Sequence, residues 1–358
     1  METALMNIKI TKTTESKISQ FDENNINFAR IYTDHMLVAD YEDGQWKTPE
    51  IMPFGNLDMH PATTFIHYGQ SIFEGIKAYK SQDGSVKIFR PTDNFSRFNI
   101  SAKRMAMAEV PKEIFMGGLK TLVNLDQAWV PGSEGSSLYL RPFLFATDEF
   151  IGVRPPTKFR FMIIMTPAGA YYNKAIDIYV QDKYVRAFPG GVGYAKAAGN
   201  YAAAMQPTVE VNEMGYDQNL WLDGVERKYI EEIGTMNVFF VIGDKVVTPS
   251  LESGTILNGF TRLSVISLLR DRGLEVEERK ISIQEIEEAS AAGTLKEAFG
   301  AGTAAVIAPI NSLTYKENKM TLPPQDEWLI SPSIKQELAD IRYGRSEDKY
   351  NWMFPVGA

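Results

Sequence analysis

The chain has 358 residues, 44% of them hydrophobic, enough to bury more than one core, and the usual ~100 to 200 residues per domain predicts two domains. Its 37 basic and 45 acidic residues leave a net charge of -8 with no long block of one sign, which argues against a nucleic-acid partner. The absence of cysteine excludes disulfides, thiolate metal sites and thiol nucleophiles, and fits a reducing compartment.

From the N-terminus, METALMNIKITKTTESK lacks the apolar centre of a signal peptide, and no run approaches the ~18 apolar residues of a membrane span. A cytoplasmic location, with no membrane partner, is the expectation. Residues 29–39 have the β-branched and aromatic content of a strand. Gln82-Asp-Gly84 marks a turn between Ile76–Tyr79 and Val86–Phe89, predicting a hairpin that delivers Arg90 to a strand end. Helices are predicted over about 93–108 and 111–130, and strands over 137–146 and 158–166. The last of these is apolar on both faces, as a central strand is.

The apolar pattern breaks near Tyr172-Asn-Lys-Ala175, which predicts an N-terminal domain over 1–173, a connection over 174–183 and a C-terminal domain over 184–358. Beyond it the pattern predicts a strand over 184–188, a glycine-rich turn, a helix over 196–214, and strands over 219–222 and 236–242. A helix from Thr261 stops at Gly273, and Ser282-Ile-Gln-Glu285 is a capping box opening another that ends near Gly293. The apolar ending Trp352-Met-Phe-Pro-Val356 predicts a docked terminus. His35, His60 and His67 are too few and scattered for a metal motif, so no metal is expected.

Lys196 follows the glycine-rich turn Gly190-Gly-Val-Gly193 and precedes small residues. A Walker phosphate loop fails because Ala195 and Ala197 flank the lysine, and a dinucleotide fingerprint fails for want of a third glycine. Spacing alone would leave Lys196 a solvated surface charge.

The ordered set of stretches points further. They are Tyr32-Thr-Asp-His-Met-Leu37, His67-Tyr-Gly-Gln-Ser-Ile-Phe-Glu-Gly-Ile-Lys-Ala78, Phe89-Arg-Pro91, Leu138-Tyr-Leu-Arg-Pro142, Gly190-Gly-Val-Gly-Tyr-Ala-Lys196, Glu232-Ile-Gly-Thr-Met-Asn237 and Phe299-Gly-Ala-Gly-Thr-Ala304. In this order and spacing the chain, from about Tyr32 to Val356, resembles the longer form of the branched-chain amino acid aminotransferases, fold-type IV pyridoxal-phosphate enzymes.

The resemblance implies an α/β fold of two domains, a smaller N-terminal α/β domain and a larger C-terminal α/β pseudo-barrel domain. It implies pyridoxal 5'-phosphate as cofactor, held by Lys196 as a Schiff base, with the freed amine acting as base and acid at the substrate α-carbon. Counting from Lys196 alone leaves Glu231 or Glu232 for the acid facing the pyridine nitrogen; the motif register selects Glu232. Tyr201 corresponds to a phenol that hydrogen-bonds the ring oxygen, and Arg90, Arg186, Phe260, Thr261 and Thr303 to the phosphate site. Tyr32, Phe73, Tyr171 and Thr235 match positions around the side-chain pocket, and Thr303 and Ala304 a turn for the α-carboxylate. Arg141 and Tyr139, two apart on one strand and so on one face, match groups that receive the acidic side chain of glutamate. Tyr68, Ile151 and Val153 match residues that reach the neighbouring site of a homodimer. Ala305 and Ala308 stand where some members carry a thiol pair.

The implied reaction is reversible amino-group transfer from leucine, isoleucine or valine to 2-oxoglutarate. A D-amino acid or (R)-amine aminotransferase of the same fold, or aminodeoxychorismate lyase, would also keep Lys196 and Glu232. The Tyr139/Arg141 pair, the Gly-Thr-Met-Asn motif and the chain length follow the branched-chain pattern instead. A catalytically silent scaffold would be expected to lose the lysine or the acid, and both are present.

Overall fold

A computed structural model describes residues 7–169 and 174–357. The chain is an α/β protein of two compact units. One comprises the described residues of Met1–Tyr171, Ala195–Gly199 and Ala339–Ala358; the other comprises those of Tyr172–Tyr194 and Asn200–Leu338.

The first unit is built on a largely antiparallel sheet. In its main path the order is Lys9–Ile10, Glu50–Pro53, His35–Glu42, Phe159–Ala168, Ser137–Ala146, Ile76–Lys80, Val86–Phe89 and Met353–Pro355. The strand predicted as central is paired on both sides, with Leu37 opposite Ile163 on one flank and Leu140 opposite Met165 on the other. Burial on both faces is what its doubly apolar sequence requires. The hairpin turns at Gly84, whose φ of +82° suits glycine, and the docked terminus pairs Phe354 with Ile88.

Helices Pro91–Arg104 and Lys112–Leu125 cover this sheet. Phe98 and Phe115 meet at 5.3 Å between ring centres, and Phe98 meets Phe161 at 5.5 Å. These rings join Leu119, Leu122, Leu138, Leu140 and Ile163 in one core. Each such side chain contributes about 1.5 to 3 kcal/mol by leaving water. The second helix stops at Leu125, short of the expected 130, and Gln127–Trp129 continues as a 3-10 turn.

In the second unit the sheet runs Ile230–Ile233, Gln218–Leu222, Ile176–Gln181, Val306–Tyr315, Leu295–Gly302, Asn237–Ile242, Lys245–Pro249 and Val276–Arg279. The connection expected over 174–183 is therefore corrected. Ile176–Gln181 is an inner strand, parallel to both neighbours, with Ile176, Ile178 and Val180 fully buried. Their apolar alternation outweighs the polar residues that suggested a linker.

Further corrections lie nearby. Residues 184–188 form no strand, and the helix expected over 196–214 is two, Ala198–Ala202 and Met205–Glu213. Ala195–Gly199 packs with the first unit although sequence reading gave it to the C-terminal domain, as does the tail from Ala339. Phe260–Asp271 and Ile283–Ala291 end close to their expected stops, Gly273 and Gly293, both at positive φ. Ser282 accepts the Glu285 amide at 3.0 Å as its capping motif predicts, while the Glu285 carboxylate turns to Arg279.

Candidate active site

In the first unit the antiparallel strand pair Ser71–Phe73 and Ser137–Ala146 carries much of the expected substrate side. Tyr139 and Arg141 share a face, and Arg141 donates from Nη2 to the Tyr139 phenol at 3.0 Å. The Arg141 guanidinium lies 4.6 Å from the centre of the Phe73 ring, and its buried Nε has no hydrogen-bond partner among the described residues. Tyr139 fits only because residue 75 is glycine: a Cβ there would overlap the phenol oxygen.

Lys196 belongs to the same unit. Its backbone N–H donates to Ser101 Oγ at 2.9 Å, and its carbonyl accepts the Phe73 amide at 3.1 Å. The ammonium sits 4.9 Å from the centre of the Phe73 ring. Structure thus brings Lys196, Phe73, Tyr139 and Arg141 together. Tyr32 stacks on Phe54 at 4.8 Å between ring centres, ahead of the strand it was expected to lie in. Arg90 occupies the left-handed region at φ +50° and starts the helix that follows; its Nε donates to Asp93 at 2.6 Å. A non-glycine residue held there is strained, a condition that concentrates at functional positions.

Tyr68, Ile151 and Val153 are exposed, Val153 by 90%, and the Tyr68 hydroxyl donates to the Ile151 carbonyl. A cavity of about 490 Å³ in this unit, lined among others by Asp40, Asp58, Asp148, Arg154 and Arg160, contains none of the expected site residues. Tyr171 lies outside the described residues.

The second unit gathers the acid and an arginine. Glu232 is buried; its Oε1 accepts the Leu257 amide at 2.6 Å and meets Arg186 Nη2 at 3.2 Å. Arg186 also donates to the carbonyls of Gly193, at 3.0 Å, and Thr255, while its buried Nε has no partner among the described residues. Gly193 permits this packing, since a Cβ there would overlap the Thr255 carbonyl.

Strand alternation sends neighbouring Glu231 elsewhere. It lines a cavity of about 200 Å³ with Pro189, Tyr229, Pro249 and Ile256, and accepts the Thr255 hydroxyl. Burial pushes the Glu231 carboxyl up to about 7, opposed by the Thr255 bond and the Arg186 charge and reinforced by Glu232.

Phe260 and Thr261 begin a helix whose N-cap, Gly259, has no side-chain cap, and Thr261 is buried. Such a first turn favours an anion. Thr303 and Ala304 lie in the tight connection that pairs Gly302 with Val306, itself at φ +62°. Thr235 is exposed at the turn between Ile233 and Met236, and Tyr201 is half-buried in helix Ala198–Ala202.

Each unit, taken by itself, holds groups that suit pyridoxal 5'-phosphate: in the first, Lys196 is an amine that could meet an aldehyde and Arg90 a cation; in the second, Glu232 is a buried carboxylate, and Arg186 and the start of helix Phe260–Asp271 suit a phosphate. Among the described residues the buried Nε of Arg186 has no acceptor, which suits a site for an anion. Among the described residues no cluster of three His, Cys, Asp or Glu could hold a metal ion, and no helix is long and apolar enough to cross a membrane. Sequence reading missed Ser101, Thr255 and Leu257, which touch site residues only through tertiary packing. Glu74 stood inside a matched motif and could have been singled out.

The family described as amino-transferase class IV matches residues 71–313. A probable branched-chain-amino-acid aminotransferase of Staphylococcus epidermidis is 47% identical over 347 residues, covering 96% of each chain. Among solved structures, the branched-chain amino acid aminotransferase of Escherichia coli is 27% identical with a TM-score of 0.73, covering 90% of this chain and 99% of that one. The PLP (holo) form of the Thermobaculum terrenum branched-chain amino acid aminotransferase is 26% identical with a TM-score of 0.71, covering 91% and 99%.

Proposed function

Since this chain belongs to the class IV aminotransferase family, we propose that it catalyses reversible transamination between leucine, isoleucine or valine and 2-oxoglutarate, using pyridoxal 5'-phosphate. The observation that carries this reading is one cluster on the paired strands Ser71–Phe73 and Ser137–Ala146 with two characters. Phe73 offers an apolar ring, while Arg141, backed by Tyr139, offers a cation with an unused buried donor. An apolar side chain is served by the first and a distal carboxylate by the second.

Lys196 would hold the cofactor aldehyde, Glu232 its ring nitrogen and Tyr201 its ring oxygen. Arg90, Arg186, Phe260, Thr261 and Thr303 would serve its phosphate. The chemistry that bound pyridoxal phosphate supplies is an electron sink for negative charge at the substrate α-carbon. The Lys196 amine takes the proton from that carbon and returns one in the reverse direction, so it must be neutral when it acts. Glu232 would offer the ring nitrogen a carboxylate whose position is fixed by the Leu257 amide and by Arg186. Thr303 and Ala304 would receive the α-carboxylate, and Tyr32, Tyr171 and Thr235 would bound the side-chain pocket. A homodimer is supported by the exposed apolar residues Ile66, Tyr68, Phe150, Ile151 and Val153. A cytoplasmic location accords with the cysteine-free composition.

The test is an amino-acid panel with 2-oxoglutarate, assayed for glutamate; turnover confined to D-amino acids or (R)-amines would refute the substrate assignment. Borohydride reduction should place the cofactor adduct on Lys196, and Lys196→Ala should abolish both adduct and turnover. An adduct on another lysine would end the assignment.

A further inference from the structure

Lys196 is tied to the first unit through its peptide groups as well as through its side chain. Its carbonyl takes the Phe73 amide at 3.1 Å, and the next residue, Ala197, forms an antiparallel bridge with Ile72. Its N–H is satisfied by a side chain, the hydroxyl of Ser101 at 2.9 Å. Ser101 is completely buried and donates its own hydrogen to the Arg97 carbonyl at 3.0 Å. That hydroxyl therefore accepts and donates at once, which fixes its rotamer.

The helix bearing Ser101 is itself clamped. Arg97, one turn earlier and on the same helix face, grips Glu74 from Nε at 2.8 Å and Nη2 at 2.7 Å. Glu74 is fully buried, follows Phe73 directly, and donates its amide to the Pro142 carbonyl at 2.8 Å. A bidentate pair sets both distance and rotation, unlike a point contact. The contacts form a circuit within one unit: Lys196 to Ser101, Ser101 to Arg97, Arg97 to Glu74, and one step back along the chain to Phe73 and so to Lys196. Ala195 and Ala197, each 1% exposed, pack on either side. From this circuit we infer that Ser101 is a positioning residue for Lys196, held in register by the Glu74–Arg97 pair.

The inference rests on the reading of Lys196 as the cofactor lysine. A catalytic amine must be held in a narrow range of positions to exchange a proton with one carbon, and misplacement lowers the chemical rate more than substrate affinity. Removing the hydroxyl takes this partner from the Lys196 N–H and the Arg97 carbonyl at the fully buried Ser101 position, a loss worth about five- to thirty-fold in the populations of the ordered and disordered seat.

The experiment uses the full chain, with cofactor and stripped of it, in four variants: Ser101→Ala, Ser101→Thr, Lys196→Ala and, as an equally buried serine control, Ser137→Ala. Ser101→Ala should still give the borohydride adduct on Lys196, lower kcat about five- to thirty-fold with KM nearly unchanged, and speed amide hydrogen exchange at Lys196 in the stripped protein by a similar factor. Ser101→Thr, which keeps the hydroxyl, and Ser137→Ala should match the parent. If Ser101→Ala does not fold, Ser101→Cys carries the same comparison, because a thiol of similar size is a poor acceptor. Parent-like kcat and exchange in the hydroxyl-free variant, or equal damage from Ser101→Thr, would overturn the inference. Persistence of the adduct in Lys196→Ala would instead overturn the reading beneath it, so the two failures are distinguishable.

Discussion

Arg141 donates to the phenol oxygen of Tyr139 at 3.0 Å, and the two side chains leave one strand on the same face. Tyr139 consumes one of the arginine's donors, while the buried Nε has no partner among the described residues. Arg141→Met should therefore damage the use of glutamate and 2-oxoglutarate selectively. Removing one member of a buried charge pair costs about 2 to 5 kcal/mol, or roughly 30-fold to several thousand-fold in kcat/KM. Leucine should be used nearly as before. Equal losses for leucine and glutamate, measured as kcat/KM for each donor, would show that Arg141 serves something common to both.

Glu232→Gln should retain the fold and bind cofactor but slow proton removal from the α-carbon. The amide can still accept from Leu257, yet the Arg186 charge loses its partner. Breaking such a pair costs about 3 to 5 kcal/mol, a hundred-fold or more in rate on the order of magnitude if felt at the transition state. The isotope effect with α-deuterated leucine should rise in Glu232→Gln and stay at the parent value in Glu231→Gln. The reverse pattern would assign the acid to Glu231.

Glu231 has a different expected effect, on stability against pH. Its folded carboxyl titrates near 7, above its ordinary 4.5, so between these values the folded chain holds a proton that the unfolded chain has released. Its contribution is thus fully present below about 4.5 and is lost as pH rises through about 7. Glu231→Gln should flatten the fall in unfolding free energy between pH 5 and 8. Urea titrations at pH 5, 6.5 and 8 measure it, and an unchanged slope would contradict the assignment.

A structural prediction concerns Glu297, a buried carboxylate that accepts the amides of Leu329, Ile330 and Ser331 at 2.8, 2.7 and 2.7 Å. These include the start of helix Ile330–Arg342, where a negative charge also suits the dipole. Glu297→Ala should cost about 3 kcal/mol, and Glu297→Gln less, because an amide oxygen still accepts. Chemical denaturation reads both; a loss under about 0.5 kcal/mol for Glu297→Ala, the range of an ordinary surface change, would deny the carboxylate this role.

The chain's own order of residues determined what depends on near neighbours. The turn at Gly84, the cap of Ser282 on Glu285, the stops at Gly273 and Gly293 and the doubly apolar strand Phe159–Ala168 follow from torsional preference and periodicity. So does the shared face of Tyr139 and Arg141, since side chains alternate along any strand. The family resemblance likewise rests on ordered local stretches, and it singled out Lys196, which spacing alone would have left a surface charge. Tertiary structure decided the rest. Ile176–Gln181 becomes an inner strand only because partners on both sides complete its hydrogen bonds. Glu231 and Glu232 are equivalent carboxylates in sequence, and they diverge because one faces an apolar cavity and the other an amide and an arginine. Ser101, 95 positions from Lys196, becomes its hydrogen-bond partner through packing of a helix clamped by Glu74 and Arg97. Such contacts join residues whose separation along the chain carries no periodic signal, so only the folded arrangement specifies them.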